Sequence, residues 1–246
     1  MRLTVLGRDG PYPAPGGACA GYLLEGEEGP VLLDCGPGVV GRLRRHVDVT
    51  GLAAVFYSHY HPDHVGDHFV LRYALDIARR LGRGRTQPLP VYGPARPPEL
   101  AGRLPYKDVF AVHYLDAADR PLIAGFAVEL LETDHPLYCL ASGWVQGGRR
   151  FVYSADTGPG SASRLVELAR DADLLLIEAS LLAGRGQQAP GHLTARQAAA
   201  IAREAGARRL WLTHLLPEND PAEVLAEARA IFPAAELAEP GATIEL

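Results

Sequence analysis

Lysine is almost missing from this chain: Lys107 stands alone among 24 basic residues, and the other 23 are Arg. With a net charge of −5 the sequence offers no broad basic face of the kind that grips long nucleic acid. Its Arg residues gather at Arg42/Arg44/Arg45 and Arg79/Arg80/Arg83/Arg85, clusters expected as solvated helix faces or loops. Cysteine is scarce as well. Cys19, Cys35 and Cys139 are an odd set without paired spacing, which argues against a disulfide framework and agrees with a reducing compartment. No stretch is long and apolar enough for a membrane span, and the first nine residues lack the apolar run of a signal peptide, so a cytoplasmic protein with no membrane partner is expected. Repeats, low-complexity tracts and linkers are also absent. A chain of 246 residues that is 48% hydrophobic is ample for one core, and one domain over 1–246 is expected.

What is present alternates between strand and helix patterns. Strands are expected over Arg2 to Leu6, Gly21 to Leu24, Val31 to Asp34, Ala53 to Ser58, Leu89 to Tyr92 and Phe126 to Glu132. Gly143 to Val145 and Phe151 to Ser154 flank Gly147-Gly148 as a hairpin, and Leu174 to Ile177 and Leu210 to Leu212 are short, wholly apolar strands. Helices are expected over Val65 to Leu81, stopped by Gly82, and at about Ser163 to Arg170, Ala195 to Ala205 and Pro221 to Ile231. Strand groups interleaved with helices in both halves imply two sheets with helices outside.

One segment follows no packing or turn rule. Ser58-His59-Tyr60-His61-Pro62-Asp63-His64 holds three His and one Asp where a strand ends and a helix begins, and imidazole and carboxylate are ligand types of Zn²⁺. Rigid elements on both sides suit a site that must be held accurately. His135, Asp156 and His214 each follow an expected strand, and weak signals taken singly become persuasive beside the motif. His46 and His113 are read as incidental. His68 and Asp67 lie one turn after His64, with solvent or a supporting position behind the ligands as the expectation. The loop from Asp9 to Gly17 is long for a strand connection; it is either a rigid turn or a flap that overhangs the site with Tyr12.

On these residues the whole chain resembles the metallo-β-lactamase superfamily, with His59-x-His61-x-Asp63-His64, His135, Asp156 and His214 in the family's order. The resemblance implies an α/β, four-layer αββα sandwich with the site at one edge of its sheets. It assigns His59, His61, His135 and Asp156 to one metal, and Asp63, His64, His214 and the bridging Asp156 to a second. Asp34 matches the family's strand-end aspartate that orients the ligand loop from behind. Two Zn²⁺ are implied, with Mn²⁺ or Fe²⁺ as substitutes, and such a pair binds a bridging hydroxide and clamps the attacked group. Redox di-iron relatives carry Glu where this chain has His61, which disfavours oxygen chemistry.

Within the superfamily the chain looks most like ribonuclease Z and its smaller relatives. Only 32 residues follow His214, counted as 246 − 214, which is too few for the helical domain of the glutathione thioesterases. Leu176-Ile177-Glu178-Ala179-Ser180 and Gly191-His192-Leu193-Thr194 are similar to two segments of the ribonuclease Z family, and the match implies that Glu178 and His192 form a proton-transfer pair. That family's other His falls on Ile177 here. Just 21 positions, 156 − 135, separate His135 from Asp156, which leaves no room there for the long arm that grips tRNA. The expected function is a dinuclear zinc-dependent phosphodiesterase on a small, cyclic or RNA-derived phosphodiester, with Asp63, His192 and Glu178 as its catalytic residues and a homodimer as its assembly. A lactone, ester or thioester hydrolase is the alternative, and a non-catalytic metal-binding scaffold a third.

Overall fold

The computed structural model describes residues 1–246 and contains fourteen strands and seven α-helices. The N-terminal half runs β1 (Arg2–Gly7), β2 (Gly21–Gly26), β3 (Gly29–Leu33), α1 (Val39–Leu43), β4 (Ala54–Phe56), α2 (Pro62–Val65), α3 (His68–Arg80), β5 (Leu89–Pro94), α4 (Pro98–Ala101) and β6 (Phe110–Leu115). The C-terminal half runs β7 (Leu122–Ile123), β8 (Phe126–Glu132), β9 (Leu140–Gln146), β10 (Arg149–Tyr153), α5 (Ala162–Leu168), β11 (Leu174–Glu178), α6 (Ala195–Glu204), β12 (Leu210–Thr213), α7 (Pro221–Arg229), β13 (Glu236–Leu237) and β14 (Thr243–Glu245). Two seven-stranded sheets result, ordered β14-β1-β2-β3-β4-β5-β6 and β13-β12-β11-β10-β9-β8-β7. β14 is the one late strand that returns to the first sheet, where it pairs antiparallel with β1.

The apolar strand runs have a direct structural cause. In β3 and β11 neighbouring residues point to opposite faces: Val31, Leu33, Leu174 and Leu176 enter the core between the sheets. Leu175 and Ile177 pack outward under the helices of the second half, and Leu32 does the same under those of the first. Strands covered on both faces have no polar side to show, so they read as unbroken apolar runs. Each such Leu contributes about 1.5–3 kcal/mol by leaving water. Between the sheets the largest fully buried side chains are Trp144, Tyr22, Tyr153, Phe56, Phe126 and Phe151, with Phe56 set edge-on to Trp144 at 5.4 Å between ring centres. The layers are therefore helix, sheet, sheet, helix, and the expected αββα sandwich is the fold.

The expected helix over residues 65–81 is interrupted. α2 ends at Val65 and α3 starts at His68, because the Asp67 N–H donates to Cys35 O (2.9 Å) and leaves the helical ladder. Cys35 N in turn donates to His64 O (2.7 Å), so the segment after β3 is stitched to the motif. Gly36 is required there: a Cβ would stand 1.9 Å from Asp63 O. Asp67 accepts from Val40 N (2.9 Å), and its role is to cap α1. His68 is 1% exposed, its Nε2–H donating to Leu104 O and its Nδ1 accepting from the Tyr57 hydroxyl, which makes it a core histidine distant in role from the motif. β6, β7, β13, β14, α1 and α4 have no counterpart among the expected elements. β6 is an edge strand with half-open flanks, so its Phe-Ala-Val-His-Tyr-Leu run lacks the clean alternation of a one-faced strand.

The three cysteines are buried and unpaired, as expected. Arg79 pairs with Asp108 and Arg80 with Asp76 at the surface, as expected of solvated faces, whereas Arg42 reaches Leu6 O and Gly16 O and ties down the loop after β1. No helix is long and apolar enough to cross a membrane.

Candidate metal centre

β3, β4, β5 and β6 are mutually parallel, as are β10, β11, β12 and β13. β8 runs antiparallel to β9, and β9 to β10, so β8 shares the direction of β10. The carboxyl ends of β3, β4, β8, β10, β11 and β12 thus release Asp34, the His59–His64 motif, His135, Asp156, Glu178 and His214 at a common edge. Three of these strand exits turn through the left-handed region at non-glycine residues: Asp34 (φ 55°), Ala155 (φ 51°) and His214 (φ 51°). Each such residue costs on the order of 1–3 kcal/mol, a strain that collects where side chains must be aimed.

The convergence is tight. His59, His61, His135 and Asp156 form one group whose ligand atoms lie within 4.8 Å of one another, and Asp63, His64 and His214 form a second. Asp156 stands between them, with Oδ2 3.6 Å from His59 Nε2 and 3.5 Å from His214 Nε2, and Oδ1 3.2 Å from His64 Nε2. His61 Nδ1 lies 3.1 Å from both His59 Nε2 and His135 Nε2. The outer nitrogens are occupied: His64 Nδ1–H donates to Asp34 (2.8 Å), and His135 Nδ1–H to Gly191 O (3.1 Å). Held this way, each ring in its neutral form turns a bare lone pair inward, which is the form a metal ligand needs.

Two observations test whether a cation suits the place. His64 Nε2 and Asp156 Oδ1 are buried and lack any hydrogen-bond partner, and buried polar atoms left bare are costly. Burial drives the His59 pKa well below its ordinary value, helped by the neighbouring His64 ring, and burial also lowers His61 and His135. In this first group, uncharged imidazoles beside an ionised carboxylate are the donor set of a zinc-class ion. In the second, burial lowers the pKa of His64 and His214, but the Asp156 and Asp63 carboxylates outweigh it and raise both, charge that a bound cation would displace. For Asp156 burial favours the neutral acid, but His214, His64 and His59 outweigh it and hold the pKa well below the usual carboxylate range.

Asp34 supports the arrangement from beneath. Fully buried, it accepts from Ser58 N, Ser58 Oγ, His64 Nδ1 and Tyr153 OH, each at 2.8 Å. Tyr153 belongs to the opposite sheet, so this bond ties together the two halves that supply the donor atoms. Fully buried Glu178 accepts from His192 Nδ1–H (2.9 Å) and from Thr157 N (3.0 Å), beside Asp156. Burial lowers the His192 pKa, but the bond to Glu178 and its charge outweigh this and raise it to about 9. A cavity of about 260 Å³ is lined by Pro11, His61, Pro62, Asp63, Asp156, His192 and His214. His192 also borders a wider groove of about 930 Å³ that runs past Gln187, Pro190 and Arg196.

Residues 30–215 match the family described as the Beta-lactamase superfamily domain. The chain belongs to the metallo-β-lactamase superfamily. A probable metallo-hydrolase of Bacillus subtilis, YhfI, is 36% identical over 236 residues, covering 94% of each chain. The crystal structure of YhfI superimposes with a TM-score of 0.94 at 31% identity, over 100% of this chain and 99% of that one. Ribonuclease Z of Myxococcus xanthus is 29% identical over 308 residues, covering 100% of this chain and 98% of its own. The short form of human tRNase Z superimposes with a TM-score of 0.75 at 25% identity, over 100% and 99% of the two chains. This superfamily member is accordingly a metallo-hydrolase, with ribonuclease Z-like relatives. Membership implies divalent metal ions, and the groups of His and Asp, with a third that joins His192 to Asp156 and His214, are the places where its donor atoms meet.

All residues singled out in the sequence for the centre come together at this one edge. His46 and His113 lie exposed elsewhere. Tyr12 does not overhang the cavity: it is 48% exposed and its hydroxyl donates to Glu218. The loop does overhang, through Gly10 and Pro11, and a Cβ on Gly10 would lie 2.1 Å from His214 Nε2. Sequence reasoning missed Gly10, Pro11, Tyr153 and the Gly191 carbonyl. A signal existed for Gly10 and Pro11, which lie in the long loop that the sequence marks as a turn or a flap, and for Gly191, which adjoins His192; none existed for Tyr153.

Proposed function

We propose that residues 1–246 work as one dinuclear zinc-dependent hydrolase whose substrate is a small, cyclic or RNA-derived phosphodiester. The observation that carries this is the Glu178–His192 pair standing beside seven converging His and Asp side chains. In this reading His59, His61, His135 and Asp156 hold one ion, and Asp63, His64, His214 and the shared Asp156 hold the other. Zinc fits the nitrogen-rich set, and Mn²⁺ or Fe²⁺ could substitute. Ions held here supply Lewis acidity and a nucleophile at neutral pH. Asp63 and His192 are the groups on the cavity wall that meet the substrate. His192 has Nδ1 committed to Glu178, so its Nε2 is free to give a proton to the leaving oxygen and to steady charge on phosphorus. The ribonuclease Z relatives support phosphorus as the electrophile, since a ribonuclease cleaves phosphodiesters. The groove beyond His192 leaves space for the rest of a substrate.

The test is side-by-side hydrolysis by zinc-replenished protein of an activated phosphodiester and an activated lactone. Preferential turnover of the phosphodiester is expected. Turnover of the lactone alone would move the assignment to carbonyl chemistry, and turnover of neither would leave a metal-binding scaffold.

Site-selective processing of full-length precursor tRNA is expected to be poor relative to small phosphodiesters. The 308 aligned positions of the Myxococcus xanthus enzyme exceed the 246 residues here, so that enzyme has at least 62 positions (308 − 246) without a counterpart. β9 and β10 fill the interval between His135 and Asp156 with a plain hairpin. Efficient single-site cleavage of precursor tRNA at catalytic protein concentrations would contradict the expectation. A second check concerns the flap. Gly10→Ala must displace either the loop or the His214 ring, and a displacement on the scale of 1 Å is expected to lower kcat by about 10²-fold. Wild-type kcat in that variant would show that neither group takes part.

A further inference from the structure

We infer that Ser180 is a positioning residue that selects the metal-binding tautomer of His214 by linking that ring to the Glu178 carboxylate. The inference rests on the two-ion reading above. β11 and β12 lie parallel with Glu178 opposite Thr213, and Ala179 N donates to Thr213 O (2.9 Å). Residues just past the two strand ends are therefore neighbours, which sets Ser180 against His214. Both are nearly fully buried, and Asn219 Nδ2 donates to Ser180 O (2.9 Å), which holds the serine backbone in place.

The Ser180 hydroxyl has three partners within reach: Glu178 Oε2 at 2.7 Å, His214 O at 2.9 Å and His214 Nδ1 at 2.9 Å. A hydroxyl carries one hydrogen. Of the two acceptors, the carboxylate oxygen is closer and takes it more strongly than a neutral carbonyl does. The Oγ then faces Nδ1 with a lone pair, so Nδ1 must be the ring nitrogen that carries hydrogen. A neutral imidazole has a single N–H, which leaves Nε2 bare on the side of Asp63 and Asp156. The competing tautomer would direct Nε2–H at Asp63 Oδ2, 3.0 Å away, and close the position that an ion would use. No other side chain in the structure reaches His214 Nδ1.

Glu178 thereby serves two masters in one carboxyl group. Its Oε1 holds His192, the proposed proton donor, and its Oε2 holds His214 through Ser180. The proton donor and one metal ligand are aimed from a single buried anion.

The test compares wild type, Ser180→Ala and Ser180→Thr by zinc titration against a chromophoric chelator, with histidine ¹⁵N–¹H correlation spectra of the zinc-loaded wild type. The wild type is expected to bind two ions and to show His214 with hydrogen on Nδ1. Ser180→Ala should weaken one ion by about 10- to 100-fold, the usual cost of losing a ligand's supporting bond, and leave the other unchanged. Ser180→Thr keeps the hydroxyl and should restore tight binding of both. Unchanged affinities in Ser180→Ala, equal weakening of both ions, no restoration by Thr, or a wild-type His214 with hydrogen on Nε2 would each overturn the assignment. A wild type that binds one ion at most would overturn the two-ion reading and the Ser180 role with it. That failure is distinct, because it appears before any variant is made.

Discussion

Asp156→Ala is expected to release both ions and to lower kcat by at least about 10³-fold, more than the loss of one charge-stabilising donor usually costs. The reason is its place between the two groups. One carboxylate oxygen lies within 4 Å of His59, His135 and His214, and the other is 3.2 Å from His64 Nε2. No second carboxylate stands where it could replace this one, because Asp63 touches only the His64 and His214 side of the centre. Alanine removes the anionic donor that stands between both groups, so metal affinity falls at both positions together. Elemental analysis of zinc-replenished variant protein, paired with kcat on an activated phosphodiester, reads the result. Retention of one full equivalent of zinc would mean that the carboxylate is not shared.

His192→Ala is expected to lower kcat by about 10²- to 10⁴-fold with the metal content unchanged, the range for a general acid. Its Nδ1 is held by Glu178 and its ring stacks on His214 at 5.4 Å and 10°, so the free Nε2 has a defined direction toward the cavity. The loss should shrink with nitrophenolate leaving groups, which depart without a proton. Equal losses for good and poor leaving groups would reduce His192 to a residue that positions phosphate. The sequence suggests that loss of Glu178 is milder than loss of His192, since a partner that only orients a ring matters less than the ring. The contacts of Glu178 lead to the opposite expectation. Glu178 also accepts from Thr157 N and Ser180 Oγ, so Glu178→Ala is expected to cost at least as much activity as His192→Ala and to weaken zinc binding as well.

The parts of the centre legible in the chain are those encoded by short spacing. His59, His61, Asp63 and His64 lie within six positions, and His135, Asp156 and His214 each follow an apolar run that forms a strand. Glu178 and His192 were legible through the resemblance of their segments to those of the ribonuclease Z family. Ser180 stood in the same segment as Glu178, yet its partner His214 is 34 positions away, and no periodicity connects them. Gly10 shows the same limit from the other side: a glycine in a Gly/Pro-rich loop reads as a turn, and its closeness to His214 exists only in the fold.

Local chemistry was therefore sufficient for most of the strand and helix order and for the kinds of atoms the site presents, and the motif's resemblance for the family, because hydrophobic period and ligand type are properties of neighbours along the chain. Folding supplied what depends on atoms far apart in sequence. It broke the helix after His64, because Asp67 found Cys35 O as a partner, and it turned His68 into a core residue by placing Tyr57 and Leu104 beside it. It also joined the two sheets beneath the centre through Tyr153 and Asp34, which are 119 positions apart. Buried polar groups must be paired with whatever the packed sheets bring within hydrogen-bonding distance, and that distance is set by the packing of Trp144, Phe56 and their neighbours between the sheets.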